Sequence, residues 1–389
     1  MRILSVSQVY HPFGEMGGPA FKVKAIAEHM VRCGHNVTVL ATTFDAHRAS
    51  GSQRVVGVEV CYLKPDIRYR TTTWNSGVQK FCDSRLREFG VVHIYGLYDL
   101  MGPAVARACR RQGIPYIVEP LGMTRAIDRS FFLKAMWHKW IGRDYMHAAA
   151  SVVATSEQEY DELRAEGFPE GKLFLRYNGL DTAEFRSLPP RDAFRLRHNI
   201  AGDEPLVLFL SRLIERKGAD LLIAAFADAC PTRGRLVIAG PEGVPGYVAG
   251  LQDVAARCGV AERVLFTGPL FGEEKKEALV AADVFALPSR YENFANVAAE
   301  SMACGTPVIV TRNCGISTHV EGKAGLVIPR EIPALADALK KLLRNPELRD
   351  AFRAGCAEVA ARLSWECVLD PMEQLYAALS DGRGGSRAS

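Results

Sequence analysis

The chain alternates short apolar runs with helical patterns, and this alternation constrains its fold more than any other feature. The first half carries β runs at residues 3–7, 36–41, 91–95, 116–118 and 151–155, with helical patterns between them. Apolar runs separated by helices are typical of parallel strands that are buried on both faces of a sheet. The first half is therefore predicted to form a doubly wound α/β domain.

The alternation starts a second time after a break that is typical of a linker. Pro189, Pro190 and the polar stretch 201–205 interrupt the pattern. New β runs follow at residues 206–210, 235–239, 263–267, 284–287 and 307–310. Ligands of open α/β sheets bind beyond the carboxyl ends of the strands. Two such domains are therefore expected to face each other across a cleft that holds a small molecule.

The composition is that of a globular protein and argues against a nucleic-acid-binding or zinc-binding protein. Of the 389 residues, 48% are hydrophobic and 24% are charged, which is ordinary for a globular protein. The net charge of +4 is far below that of a dedicated nucleic-acid binder, and no nucleic-acid-binding motif is present, so no such partner is expected. The ten scattered cysteines form no CxxC pair, which favours apolar fillers in a reducing compartment over a zinc site.

The sequence predicts neither a secretion signal nor a membrane span. The apolar run at the N-terminus is shorter than that of a signal peptide. No stretch approaches the 18 uninterrupted apolar residues that a transmembrane helix needs. We therefore expect a cytoplasmic protein.

Residues 125–143 combine apolar and basic side chains at helical spacing. The apolar members are Phe132, Met136, Trp137, Trp140 and Ile141, and the basic members are Arg129, Lys134, Lys139 and Arg143. Two interpretations are open. The segment is either an amphipathic helix on the cytoplasmic face of an anionic membrane, or a helix that packs on its own domain and presents a basic outer face.

Two glutamates follow the β run at 284–287. Glu292 is expected on the loop before a helix, and Glu300 lies about two turns into that helix. Asn293 is predicted to cap the helix, whose N-terminus would then offer backbone donors to an anion. The alternative is that Glu292 only favours the helix dipole and that Glu300 is a solvated helix residue.

Basic residues and glycine turns follow other β runs of the second half. Arg212 and Lys217 stand on the loop after the run 206–210, and a guanidinium with an ammonium suits a diphosphate. A solvated basic loop is the alternative. The turns Gly240–Pro241 and Gly268–Leu270 permit close approach of a ligand to the backbone, although plain turns would look the same.

In this order, these motifs resemble those of the family-4 retaining glycosyltransferases, which have the GT-B fold of two Rossmann-like domains. The family's R-L-x-x-x-K-G loop matches Arg212–Gly218, and its E-x7-E element before G-x-P-V matches Glu292–Glu300. Asn178–Asp181 is similar to its N-G-x-D segment, and Gly17–Pro19 is similar to its glycine loop after the first strand. The resemblance covers nearly the whole chain and is specific to the superfamily, but not to one sugar.

The linker at Pro189 and Pro190, together with the resemblance, gives a domain plan. Residues 1–188 are expected to form the acceptor-side domain, and residues 189–380 the nucleotide-sugar-binding domain. A C-terminal helix at about 365–380 is expected to pack back on the first domain. The polar, glycine-rich tail 381–389 is expected to be flexible.

The resemblance also assigns roles to residues that match. Arg212 and Lys217 would hold the donor diphosphate and stabilise the growing charge of the leaving nucleotide. Glu292 would complete the catalytic set beside the donor sugar's hydroxyls, and Glu300 would bind the ribose hydroxyls. The other donor-binding residues would be Gly17, Gly18, Gly240, Pro241, Leu270, Asn293, Phe294 and Ala295.

The sequence departs from the family pattern in two places. Ala295 stands where the family often has glycine, which alters the backbone freedom of that turn. Many members carry a histidine near the transferred sugar, but Tyr116–Met123 contains none, and Glu119 is the nearest polar side chain. His93 and Tyr95 share one face of a strand and are further acceptor-side candidates, with a core role for His93 as the alternative.

The resemblance implies a retaining enzyme that moves a hexose from a UDP- or GDP-sugar to a glycan or a lipid-linked acceptor in cell-surface polysaccharide synthesis. No D-x-D signature stands where it could serve a diphosphate, so neither a metal nor another cofactor is expected. A sugar-nucleotide 2-epimerase of the same fold and an inactive binding protein are the alternatives. An NAD-dependent oxidoreductase would need a G-x-G-x-x-G after the first strand, which is absent.

Overall fold

The computed structural model describes residues 1–11, 18–44, 50–69, 72–124, 142–230 and 232–385, and strands alternate with helices through most of this part. The strands are β1 Arg2–Ser7, β2 Asn36–Thr42, β3 Gly51–Val55, β4 Val58–Leu63, β5 Ile67–Tyr69, β6 Thr72–Trp74, β7 Val91–Tyr95, β8 Tyr116–Glu119, β9 Ser151–Ala154, β10 Leu173–Leu175, β11 Leu206–Leu210, β12 Arg235–Ala239, β13 Val264–Gly268, β14 Val284–Leu287, β15 Val308–Thr311 and β16 Gly325–Ile328. The helices are α1 Gly18–Arg32, α2 Gly77–Arg85, α3 Met101–Gln112, α4 Arg143–His147, α5 Glu157–Ala165, α6 Asp192–Arg197, α7 Ala219–Ala229, α8 Tyr247–Arg257, α9 Gly272–Ala281, α10 Asn296–Ala303, α11 Ser317–Val320, α12 Ile332–Arg344, α13 Pro346–Arg362 and α14 Trp365–Gly385.

The chain folds into two compact units. The first comprises Met1–Gly179 together with helix α14, and the second comprises Leu180–Ser364. The ends of the second unit are joined, because the N–H of Leu180 donates to the carbonyl of Leu363 at 2.7 Å. Residues 180–188, which the sequence pattern placed with the first domain, therefore group with the second unit.

The first unit is built on a largely parallel sheet. Among the described residues its strands follow the order β10-β9-β8-β7-β1-β2-β4-β3, and the neighbours are parallel except for the edge pair β3–β4. The chain leaves β1 towards β2 on one side and later returns to β7 on the other side. The topological switch point, where ligands of such sheets bind, therefore lies between β1 and β7.

Alternate residues of these strands enter two apolar cores, one on each face of the sheet. Leu4 and Val92 lie in one core, whereas their neighbours Ile3 and Val91 lie in the other. The second core also receives apolar side chains of α1 and α14, including the fully buried Tyr376. Helix α14 thus packs against α1 on the same face of the first sheet.

The second unit repeats this architecture. Its described strands form a parallel sheet in the order β13-β12-β11-β14-β15-β16. Counted from β11, this is the 3-2-1-4-5-6 order of the Rossmann fold, with the switch point between β11 and β14. Strand β11 is apolar throughout and buried along its whole length, as a strand covered by helices on both faces must be.

The helices of the second unit pack against one another. Helix α7 contacts α8 and α12, while α10 contacts α9 and α13. In α12 the residues Leu335, Leu339 and Leu342 are buried because they recur at helical spacing along one face. Asn345 then begins α13 by accepting a hydrogen bond from the N–H of Leu348 at 3.0 Å. In the described part of the chain, no helix is both long enough and apolar enough to cross a membrane.

Candidate functional site

The predicted basic and acidic motifs of the second unit flank its switch point. The loop after β11 carries Arg212 and Lys217, and the loop after β14 carries Glu292. Because β11 and β14 are parallel neighbours, both loops leave the same edge of the sheet. This is the edge at which open α/β sheets bind their ligands.

Backbone contacts hold the two loops together. The N–H of Arg290 donates to the carbonyl of Arg216 at 2.8 Å, and the Arg216 guanidinium donates to the carbonyl of Tyr291. Gly218 has a φ of +76°, and a Cβ there would lie 2.4 Å from the carbonyl oxygen of Pro288. Glycine is therefore required for the loops to approach this closely.

Lys217 and Glu292 form an ion pair between these loops. The Lys217 ammonium donates to Oε1 of Glu292, and the two side chains are only 11% and 13% exposed. The buried hydroxyl of Ser289 also lies 3.3 Å from Oε1 of Glu292, within hydrogen-bond distance. The backbone of Glu292 is fixed as well, because its N–H donates to the carbonyl of Asn313 at 2.9 Å. The structure thus holds a fixed cation and a fixed anion side by side.

Arg212 presents a second cation on the same loop. Its side chain is exposed, and among the described residues it has neither an ion-pair partner nor a side-chain hydrogen bond. The loop is fixed beside the next turn, because the N–H of Leu213 donates to the carbonyl of Pro241 at 2.9 Å. A Cβ on Gly240 would lie 1.8 Å from the carbonyl oxygen of Ser211. Arg212 is therefore an exposed guanidinium on a well-held loop.

The two glycine turns lie next to each other. The N–H of Gly240 donates to the carbonyl of Gly268 at 2.8 Å, which joins the turn after β12 to the turn after β13. Pro241 is exposed and Leu270 is partly buried. The turns offer a short stretch of backbone and apolar surface beside the loop of Arg212.

The turn before helix α10 differs from its prediction. The structure makes Ala295, not Asn293, the N-cap residue, and the Ala295 side chain makes no capping hydrogen bond. The prediction for Asn293 was wrong because the chain enters the helix through a left-handed residue, with φ +77° and ψ +64° at Ala295. Phe294 is buried and packs edge-on against His319. Ala295 therefore adopts the left-handed conformation that glycine would adopt at lower cost.

We expect Ala295→Gly to raise the free energy of unfolding of the second unit by about 0.5–1 kcal/mol. Glycine removes a left-handed strain of about 1–2 kcal/mol. Part of this gain is offset because glycine loses more backbone entropy on folding than alanine does. Urea unfolding followed by circular dichroism measures the change. Ala298→Gly, within α10 itself, is the matched control and should cost about 1 kcal/mol. Equal losses in both variants would contradict the prediction.

Glu300 lies within α10 and meets a cation of the neighbouring helix. Its Oε2 is 3.0 Å from Nζ of Lys275 on α9. Burial raises the pKa of Glu300 above its ordinary value, and the charge of Lys275 acts against this rise. Lys217 and Glu292 are thus brought together by the fold, whereas Glu300 has a cation partner of its own.

The acceptor-side candidate Glu119 is the centre of a buried charge cluster in the first unit. It ends β8, is fully buried, and accepts hydrogen bonds from Nζ of Lys22 at 2.9 Å and from the guanidinium of Arg176. Burial alone would raise the pKa of Glu119, but the charges of Arg176 and Lys22 lower it to about 2. Burial lowers the pKa of Lys22. In this structure Glu119 therefore binds other parts of its own unit.

His93 and Tyr95 belong to the same interior. Their rings stack at 4.0 Å, and Nδ1 of His93 is 2.6 Å from the hydroxyl of Tyr376 on α14. Burial lowers the pKa of His93 to about 3, so the ring is neutral at physiological pH. Burial also raises the pKa of Tyr95. The three acceptor-side candidates are thus brought together, but they lie within the unit and not at its surface.

Some predicted residues lie outside the described part of the chain. Gly17 is among these, and Gly18 is the first residue of α1. Residues 125–141 of the proposed amphipathic helix are also outside it.

Comparisons with known proteins agree for both halves of the chain. Residues 190–357 match the family model described as glycosyl transferases group 1, and residues 17–179 match that of the glycosyl transferase 4-like domain. The D-inositol 3-phosphate glycosyltransferase 1 of Catenulispora acidiphila is 30% identical over 313 residues, which cover 76% of this chain and 74% of that protein. The chain belongs to the group 1 glycosyltransferases. The prediction of a glycosyl-transferring enzyme is confirmed.

Solved structures of similar proteins agree with the predicted GT-B fold. Sucrose-phosphate synthase from Thermosynechococcus elongatus aligns with a TM-score of 0.78 at 23% identity, over 98% of this chain and 99% of that one. HepE from Anabaena, in complex with UDP and glucose, aligns with a TM-score of 0.74 at 21% identity, over 97% of this chain and 100% of that one. The fold prediction is confirmed.

Three residues that fix the loops of this group 1 glycosyltransferase were not predicted. Ser289 and Arg216 stand next to motif residues, so their position in the motifs could have indicated them. Arg330 has no local signal. It follows β16, and its Nε donates to the carbonyl of Pro288 at 3.2 Å, a contact between residues 42 positions apart. Such long-range hydrogen bonds require the folded topology.

A metal site was not predicted for this glycosyltransferase. Within the residues that the structure describes, no group of three or more His, Cys, Asp or Glu side chains is placed to hold a metal ion. Metal-independent activity stays a prediction.

Proposed function

We propose that this group 1 glycosyltransferase moves a hexose from a nucleoside-diphosphate sugar to a glycan or lipid-linked acceptor, with retention of the anomeric configuration. The observation that carries the proposal is the largely buried ion pair of Lys217 and Glu292, whose side chains are 11% and 13% exposed, at the switch point of the second unit. A cation and a hydrogen-bond acceptor at this place suit the diphosphate and the hydroxyls of a sugar nucleotide.

The chemistry needs positive charge near the leaving group. When the glycosidic bond of the donor breaks, negative charge grows on the diphosphate. Lys217, held in place by Glu292, and the exposed guanidinium of Arg212 would stabilise that charge without reorganisation. Retention would follow if the acceptor attacks from the face that the diphosphate leaves, with a phosphate oxygen taking the acceptor's proton.

The remaining donor contacts follow from the surrounding turns. Gly240, Pro241 and Leu270 would border the base, Glu300 would accept hydrogen bonds from the ribose, and the backbone of Asn293–Ala295 would adjoin the sugar. Gly17 and Gly18 of the first unit would bind the diphosphate. A uridine nucleotide is the first donor to test, because the HepE structure contains UDP and glucose, and GDP-sugars are the second.

The acceptor is proposed to belong to cell-surface polysaccharide synthesis, with residues 125–143 binding an anionic membrane. Sedimentation with anionic vesicles tests this surface. We expect the protein to bind the vesicles at low salt and to bind them more weakly as the salt concentration rises. The Catenulispora relative is named for an inositol phosphate acceptor, so inositol 3-phosphate belongs in the acceptor panel.

Product analysis tests the proposed reaction. The full chain is incubated with UDP-, GDP- and ADP-sugars, each with a panel of glycan, lipid-linked and inositol phosphate acceptors. We expect one nucleotide to be released in equal amount with a new glycoside whose anomeric configuration is that of the donor, as NMR will show. An inverted product would contradict retention, and an altered nucleotide sugar without a glycoside would contradict transfer.

We expect turnover to be unchanged in EDTA. Arg212 and Lys217 supply the positive charge that a divalent cation supplies in metal-dependent enzymes. Initial rates after exhaustive chelation, with and without added Mg²⁺ or Mn²⁺, measure this. A rate that falls more than tenfold in chelator and returns with one metal would contradict the prediction.

A further inference from the structure

The carboxylate of Glu300 is held by a residue that no sequence motif indicates. Lys275 lies in the first half of helix α9, and its Nζ is 3.0 Å from Oε2 of Glu300 in the middle of α10. The side chains are 25% and 20% exposed, so most of the pair is removed from water. The ion pair joins two helices that pack against each other.

Few other charges act on Glu300. Burial raises the pKa of Glu300, Lys275 lowers it, and Glu184 raises it further. Helix α13 also packs against α10, and its buried residues Phe352, Cys356, Val359 and Ala360 carry no charge. Among the described groups, Lys275 is thus the cation that favours the ionised form of Glu300.

The proposed role of Glu300 requires that ionised form. A carboxylate can accept hydrogen bonds from two ribose hydroxyls through its two oxygens. In a protonated carboxyl group one of these oxygens carries a proton and acts as a donor. Hydrogen bonds to a charged acceptor are also stronger than bonds to a neutral one. A buried carboxylate therefore needs a cation to remain a good receptor for a neutral diol.

We propose that Lys275 is a positioning residue for the donor ribose. Its ammonium keeps the Glu300 carboxylate ionised and in one orientation, and Glu300 then distinguishes a ribonucleotide from a deoxyribonucleotide. This inference rests on the proposed function, because it takes the ribose as the ligand of Glu300.

The test compares nucleotides that differ in one hydroxyl. Calorimetry gives the Kd of UDP and of 2′-deoxy-UDP for the full chain, or of the guanosine pair if the donor screen selects GDP. We expect the wild type to prefer the ribonucleotide by about 10- to 100-fold, the effect of one charge-assisted hydrogen bond. Lys275→Met should reduce this preference to less than threefold, and Lys275→Arg should restore most of it.

The neighbouring lysine is the matched control. Lys276 pairs with the exposed Glu273 of its own helix at 2.7 Å. Lys276→Met should therefore keep the full preference for the ribonucleotide. A general loosening of α9 in either variant would weaken the binding of both nucleotides equally. The ratio of their Kd values would then stay unchanged.

A double variant decides whether Lys275 acts through Glu300. In a Glu300→Gln background, Lys275→Met should change the ratio no further, since the coupled group is already absent. This variant also avoids a buried carboxylate without a partner. If Lys275→Met alone unfolds, Lys275→Arg still tests the inference, because a folded Lys275→Arg that loses the preference would overturn it.

The outcomes separate the two proposals. If the wild type discriminates, Glu300→Gln abolishes the discrimination and Lys275→Met retains it, the inference is overturned while the donor site stands. If the wild type binds both nucleotides equally well, the ribose contact of Glu300 is wrong while nucleotide binding stands. If it binds neither nucleotide of any tested pair, the donor site and the proposed function fall as well.

Discussion

Replacing Lys217 by methionine should lower kcat by about 100- to 1,000-fold, the usual cost of removing one fixed donor from a developing negative charge. Methionine retains most of the apolar stem and removes only the ammonium that pairs with Glu292. The donor KM should change less than kcat, because the interaction strengthens as the diphosphate leaves. Initial rates of nucleotide release at saturating donor measure both constants.

A nearby surface cation provides the matched control. Arg290 pairs with Glu215 at 3.1 Å, and both side chains are well exposed. Arg290→Gln should therefore leave kcat within about twofold, since exposed pairs contribute little. Lys217→Met leaves Glu292 without its cation, so the double variant with Glu292→Gln checks that lost activity is not lost folding. Near-normal kcat in folded Lys217→Met would mean that the diphosphate binds elsewhere.

The two parallel sheets could be predicted because their strands are buried on both faces. A run such as Leu206–Leu210 is continuously apolar, and a helical pattern follows it. The strand order could not be inferred from the runs, and it is the order that places β11 beside β14. The motifs indicated a shared site, and the topology supplies the reason that residues 75 positions apart can touch.

The local conformation of the site could be predicted less well. Asn293 looked like a helix cap because short polar side chains favour that position, but the N-cap of the helix lies two residues later, at the left-handed Ala295. The departure from glycine was visible in the sequence. The conformation was not, since tertiary contacts of the loop override the residue's own preference.

The buried charges of the first unit were beyond prediction from the sequence. Glu119 was noticed only because a histidine was missing from its neighbourhood. Its partners Lys22 and Arg176 stand 97 and 57 positions away, on other elements. No local periodicity encodes an ion pair of this kind, so the sequence indicated Glu119 only as an acceptor-side candidate and did not indicate the buried cluster.

Replacing Glu119 by glutamine should lower the free energy of unfolding of the first unit by about 3–5 kcal/mol. The substitution keeps the shape of the side chain, but it leaves the buried Lys22 and Arg176 without the anion that compensates them. All four tryptophans, at positions 74, 137, 140 and 365, belong to the sequence ranges of the first unit. Urea unfolding followed by tryptophan fluorescence therefore measures this unit alone.

The stability that the Glu119 carboxylate contributes should depend on pH. The pKa of Glu119 falls from its ordinary 4.5 to about 2 on folding, so the carboxylate stabilises the native state fully above pH 4.5. This contribution is lost as the pH falls from 4.5 towards 2. Glutamine does not titrate, so the stability gap between wild type and Glu119→Gln should narrow over that range.

A surface glutamate provides the control for the loss of an exposed ion pair. Glu88 accepts from Arg2 at 3.1 Å, with side chains 34% and 55% exposed, and Glu88→Gln should cost less than about 1 kcal/mol. Equal losses for Glu88→Gln and Glu119→Gln would mean that water reaches the cluster. In that case Glu119 would be accessible at the carboxyl end of β8, and the acceptor-side role first predicted for it would become the better explanation.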